Sequence, residues 1–243
     1  MHEQLPFTAL LNRVFAGPVT SVLQLLGIHP KHPQEPISNP VAMQVLVVLL
    51  LVLLFLLLRL RLSVDRPRGM QHIAESTHEF FSNMGRELIG HDYQAFLPYI
   101  TALGIYILAC CLIGLIPSFE SPTATAAVPL GCAIATFLYY NYQGVKHHGA
   151  GYIKQFLGPV PLLAPLVFLI EVVSHLARVL SLTVRLFANM FAGEMVTLAF
   201  FSLIPLFVPI IFMGLHIGVA LIQTYIFVLL TCVYLGAAVS HEH

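Results

Sequence analysis

Long apolar runs broken by short polar clusters set the pattern of this chain. Residues 41–58 are almost wholly leucine and valine. At about 1.5 Å per residue they nearly cross a hydrocarbon layer of about 30 Å. The run ends in RLRLSVDRPR, where Arg59, Arg61, Arg66 and Arg68 cluster. Two further apolar runs follow within residues 93–117 and 122–144, joined by PSFESPTA, which holds Glu120 and neither Lys nor Arg. The loop after them carries Lys146, His147, His148 and Lys154. Basic loops therefore fall on alternate turns of the chain, which puts them together on the cytoplasmic side of a membrane. The N-terminus then lies on the opposite side, although Arg13 and Lys31 count the other way.

Between the first two runs the period changes. Met70, Ile73, Phe80, Phe81, Met84 and Leu88 recur at helical spacing among His, Glu and Ser. That predicts an amphipathic helix lying on the membrane surface over residues 66–91. Residues 1–39 mix short apolar and polar clusters with Pro30, Pro33 and Pro36 and read as an irregular lead-in with a short amphipathic helix. The first crossing is expected over 40–62. The last tract, 161–240, divides near Pro205 and Pro209. Its first piece would be about 60 Å long as one helix, twice the hydrocarbon thickness. Residues 166–192 contain no Gly or Pro to turn the chain, so one long, strongly tilted helix is predicted, hairpinned with a second. The sum is an all-α integral membrane fold of about five crossings, with the C-terminus cytoplasmic.

Composition agrees with the pattern. The chain is 58% hydrophobic and 9% charged, with 11 basic and 11 acidic residues, and its mean hydropathy is +0.87. Hydrocarbon is the solvent this composition suits, and a balanced charge gives no reason to expect nucleic acid. Cys110, Cys111, Cys132 and Cys232 sit inside apolar runs without metal-ligand spacing and read as inert thiols. No metal site and no cofactor is indicated, and no GxxxxGK[ST] phosphate loop is present. The first residues lack the basic start and clean apolar core of a cleaved signal.

One residue breaks the apolar logic. Arg185 stands in the middle of the long predicted helix with no acidic residue nearby to neutralise it. A charge there costs at least about 2.5–3.5 kcal/mol on insertion scales and marks an ion path or a bound counter-ion. Arginine cannot escape by losing its proton, so its partner is expected from another chain. On a helical wheel Glu171, Ser174, Arg178, Ser181 and Asn189 share its face, and Glu194 lies opposite. Glu171 and Arg178 near the helix end form either a solvated pair or part of a channel. His216 and Gln223, seven apart, share a face of the second helix. Counting back from a turn near Phe207 brings Asn189 level with Gln223 and Glu194 within about a turn of His216. A carboxyl and an imidazole so placed can pass a proton. Gly214 and Gly218 flank His216 and permit close helix approach. A secondary transporter would instead show an internal repeat and broken helices, and neither is visible.

The segment SLTVRLFANMFAGE, followed by HIGVALIQTYIFVLLTCVYL, resembles the signature of subunit a of the F-type ATP synthase. The likeness extends from the first apolar run through KHHGAGYIKQFLGP to the C-terminus. Ala188 stands where many relatives have glycine, and Val179 where proline is common. The resemblance implies a stator subunit without a catalytic site of its own, in a bacterial inner membrane, with its N-terminus periplasmic. It implies that the long hairpin faces a ring of c subunits, with the b-subunit peripheral stalk, other synthase subunits and membrane lipid as the remaining partners. Arg185 would separate two offset half-channels and promote deprotonation of the ring carboxylates. Asn189, Glu194, His216 and Gln223 would belong to the central and periplasmic route and Glu171 to the cytoplasmic side, with Ser181 a further residue of the proton path.

Overall fold

In a computed structural model, residues 5–25, 36–62, 69–90, 92–116, 119–149, 152, 164–203 and 208–239 are described. The expected turn at Phe207, the basic residues Arg66, Arg68 and Lys154, and the C-terminal SHEH lie outside them. Among the described residues the chain forms seven α-helices and one 3-10 turn, with no strand. The helices are α1 (Pro6–Leu25), α2 (Asn39–Arg61), α3 (Gly69–Ile89), α4 (Tyr93–Ile113), α5 (Ala127–His148), α6 (Ala164–Leu203) and α7 (Val208–Val239). The 3-10 turn, Pro122–Ala124, lies between α4 and α5.

Local chemistry accounts for the helix ends. Pro40 sits in the first turn of α2, where its missing N–H costs nothing, and Leu62 leaves that helix in extended backbone. In α1, Pro18 lies inside the helix, and the hydroxyls of Thr20 and Ser21 donate to the carbonyls of Ala16 and Gly17 around it. α6 runs unbroken for 40 residues, about 60 Å. It passes through Val179, whose carbonyl accepts a hydrogen bond from the Thr183 hydroxyl.

Among the described residues four helices are long and apolar enough to cross a membrane: α2, α4, α6 and α7. The fifth expected crossing falls on α5, which does not reach that apolar length. Its C-terminal third carries Asn141, Gln143, Lys146, His147 and His148, and these dilute the run. Only 17% of the most apolar stretch of α2 is buried. Val45, Val48, Leu49, Val52, Leu53 and Leu56 face outward along it, an arrangement that water would penalise and lipid does not.

Packing gathers α4, α5, α6 and α7 into one body. Leu103 and Ile107 of α4, Ala133 of α5, Leu182, Leu186 and Met190 of α6, and Phe227 of α7 bury one another. A second cluster joins Phe81 of α3 to Phe96 and Ile100 of α4, Tyr140 of α5, and Val228, Cys232 and Leu235 of α7. α3 reaches so close because residue 104 is glycine: a Cβ there would come within 2.5 Å of the Phe81 ring. α2 is attached more lightly, through Val47 against Cys110 and Ile113. The 3-10 turn packs on α6.

Candidate functional site

The polar side chains of α6 lie on an otherwise apolar helix, and each can be followed to its neighbours. Arg185 is half-buried and donates from its guanidinium to the hydroxyl of the exposed Ser181, 3.3 Å away and one turn back. No carboxylate lies within ion-pair distance of Arg185 among the described residues. The charge therefore has a neutral hydroxyl as its recorded partner. Around it Leu180, Val184 and Phe191 are exposed apolar side chains.

One turn past Arg185, the Asn189 amide donates to the Gln223 carbonyl oxygen at 2.9 Å, tying α6 to α7 across 34 residues of sequence. Gln223 is only 2% exposed, so this bond satisfies a group that the bilayer interior would otherwise penalise. Beyond it lies a cavity of about 230 Å3 lined by Asn189, Ala192, Gly193, Val196, Thr197, Phe212, Leu215, His216 and Val219. His216 is 7% exposed, and its Nε2 has no hydrogen-bond partner among the described residues.

The sequence expectation put Glu194 within about a turn of His216, and the residue whose backbone meets the ring is its neighbour. The contact is with Gly193: a Cβ on that residue would stand 2.6 Å from His216 Nδ1. The imidazole thus occupies the space that any side chain at 193 would need. Gly214 and Gly218, read from the sequence as the close-approach glycines, have nothing within 4 Å of a Cβ placed on them. Glu194 is half-buried one residue past that contact, and the acidic group that acts on it is Glu120. Glu120 accepts in turn from the Asn39 amide at 3.3 Å, and Asn39 also accepts from the Leu5 backbone N–H. Glu120, from a distant stretch of sequence, thus comes near enough to Glu194 to act on its charge.

At the other end of α6, the neighbour of Glu171 is His175, with Oε2 and Nε2 4.0 Å apart. Arg178 is turned elsewhere, its guanidinium 5.0 Å from the ring centre of Tyr234. The solvated Glu171–Arg178 pair is therefore not the arrangement formed. His175 is bonded through Nδ1 to the Tyr140 hydroxyl at 2.6 Å. Sequence reasoning passed over both His175 and Tyr140. The signal available was weak: His175 is four residues after Glu171 and so shares its face, and a buried tyrosine needs a partner for its hydroxyl.

These features define a class: an all-α integral membrane protein whose long hairpin carries a cation that no carboxylate among the described residues neutralises. Residues 41–236 match the family described as ATP synthase A chain. Across its whole length the chain is 56% identical to the ATP synthase subunit a of Koribacter versatilis, all of which is covered. It is 49% identical to that of Solibacter usitatus, over 96% of this chain and the whole of the relative. With that of Citrifermentans bemidjiense it shares 44% identity over 73% of this chain and 77% of the relative. The chain belongs to the ATP synthase A chain family.

Proposed function

We propose that this chain is the stationary proton-conducting subunit of an F-type ATP synthase, presenting two offset half-channels to a ring of c subunits. The observation that carries the reading is Arg185, a permanent cation on a membrane-length helix whose hydrogen-bond partner among the described residues is Ser181. A fixed charge so placed suits a carboxylate that arrives, binds and leaves.

In this reading the tract 161–240 holds the ion path, and the long hairpin tilts to keep its length within the membrane. A proton from the periplasmic side passes Glu194 and the cavity at His216, then neutralises a ring carboxylate. The neutral site can enter lipid because its charge penalty is gone. On the far side of Arg185 the site meets the route marked by Ser181 and Glu171 and loses its proton to the cytoplasm. Arg185 favours the ionised carboxylate and bars a direct leak between the two routes. Each 100 mV of membrane potential supplies about 2.3 kcal/mol per charge, which biases the rotation. Asn189 and Gln223 hold the hairpin together at the level where the routes come nearest. The b-subunit peripheral stalk would anchor this chain against the torque, and nucleotide chemistry belongs to other subunits.

The test is Arg185→Ala in vesicles carrying the assembled synthase. Loss of ATP-driven proton pumping, with the complex still assembled, is the expected result. Arg185→Lys should fail as well, because a desolvated lysine can shed its proton. Coupled pumping in Arg185→Ala at the parent rate would overturn the reading.

A further inference from the structure

His175 and Tyr140 form a side-chain hydrogen bond between α5 and α6, and nothing in the reading above requires it. Tyr140 is 2% exposed and His175 9%. Their hydroxyl–Nδ1 distance is 2.6 Å, and the Phe137 ring stands edge-on to both. The imidazole is therefore fixed on its Nδ1 side. Its other nitrogen, Nε2, is turned to Glu171, whose side chain is 40% accessible against 11% for His175. The pair thus joins an accessible carboxylate to a buried ring across 4.0 Å, a gap that one water or a small rotation closes.

We propose that His175, held by Tyr140, is a further proton-carrying residue at the Glu171 end of the path; this rests on the proton-conducting reading above. With Nδ1–H donated to the Tyr140 oxygen, Nε2 is the exchanging nitrogen. A proton taken from the interior makes the ring an imidazolium. Its Nε2–H bond then breaks as an O–H bond forms on the Glu171 carboxylate, leaving a neutral ring and a neutral carboxyl, and Glu171 releases the proton to solvent. Tyr140 is the positioning residue, because its hydroxyl fixes which nitrogen exchanges.

The groups facing this site come from every neighbouring element. Glu171 and Arg178 of α6 are the charges acting on the imidazole. Tyr140 comes from α5, and the Tyr234 ring of α7 lies 6.0 Å from the Tyr140 ring and 5.0 Å from the Arg178 guanidinium. The Tyr152 hydroxyl donates to Asn141 of α5 at 3.1 Å. Burial pushes the Tyr152 phenol above its usual range, so it stays a donor. Of these groups the imidazole is the one whose ordinary titration falls near neutral pH.

The experiment uses vesicles bearing the membrane sector with its catalytic sector stripped, and follows passive proton conductance from about pH 5 to about pH 8.5. The parent should show a limb in the imidazole range. His175→Gln should abolish that limb and lower conductance several-fold. Tyr140→Phe, which removes one oxygen, should shift the limb while the complex assembles, and it decides the matter alone if His175→Gln does not assemble. Identical pH profiles in parent and variants would overturn the proposal. Arg185→Ala in parallel separates the two readings. If it uncouples the synthase while the profiles stay identical, only the role of His175 falls; if it leaves coupling intact, the proton-conducting reading falls first.

Discussion

Two histidines of almost equal burial stand at opposite ends of the proposed path along α6, and their surroundings differ sharply. His175 is 9% exposed and His216 7%. At His175 the protein supplies its own partner, the Tyr140 hydroxyl at 2.6 Å. At His216 it supplies glycine, a cavity of about 230 Å3 and, among the described residues, no partner for Nε2. An unpaired buried polar atom costs about 1–3 kcal/mol, so a fold keeps one where water or function uses it. That cavity has room for several waters, and Asn189 and Thr197 join His216 in its polar lining. Burial alone does not separate the two rings. What separates them is which of their atoms the chain satisfies.

The contrast can be broken most forcefully by filling the cavity. Gly193→Val places a Cβ 2.6 Å from His216 Nδ1 and adds two methyl groups beside it. Proton conductance through stripped vesicles should fall close to background, with assembly judged by whether the c ring still copurifies. The limb assigned to His175 should vanish with the flux, because the two ends act in series. Undiminished conductance in an assembled Gly193→Val complex would mean that protons do not pass this cavity.

Parts of this arrangement could be read before any coordinates, and the boundary is physical. Apolar runs announce a membrane helix because the hydrocarbon layer imposes a length, and α2, α4, α6 and α7 all meet it. The continuity of α6 followed from the lack of Gly and Pro over residues 166–192. Counting through a single turn put Asn189 level with Gln223, and their amides are 2.9 Å apart. The same counting brought Glu194 near His216 but could not choose between neighbouring residues, since adjacent positions differ by about 100° around the helix; Gly193 makes the contact. The Tyr140–His175 bond was out of reach for another reason. It depends on the register between α5 and α6, which no short turn fixes. Glu120 was singled out as the acid of its loop, yet its place beside Glu194 depends on how the 3-10 turn packs against α6.

A smaller effect is expected where the two helices are bonded rather than separated. Asn189→Leu removes the donor to Gln223 and leaves a buried amide without that partner. Interhelical hydrogen bonds in membranes are worth about 0.6 kcal/mol on average and at most about 1.7. A fall in the melting temperature of the detergent-solubilised complex, absent in the exposed α2 control Leu53→Ala, is the expected measurement. An unchanged melting temperature would show that the hairpin is held by apolar packing alone, through Leu182, Leu186, Met190 and Phe227.

The smallest effect should come from Thr183→Val, and it sharpens the comparison by what it leaves alone. Thr183 is 7% exposed, like His216. Its hydroxyl donates to the Val179 carbonyl at 2.8 Å, within its own helix. A bond of this kind satisfies the hydroxyl without linking α6 to any neighbour and tends to bend the helix slightly. Removing the hydroxyl with little change of shape takes away donor and demand together, so stability should stay within about 0.5 kcal/mol, and proton conductance should match the parent. If Thr183→Val instead proves as damaging as the Gly193 change, buried polarity as such would set the cost along α6. The distinction between the satisfied and the unsatisfied histidine would then lose its force. If it is silent, the cavity end of the path is set apart by the unmatched imidazole and the space beside it, not by the mere presence of polar atoms in an apolar helix.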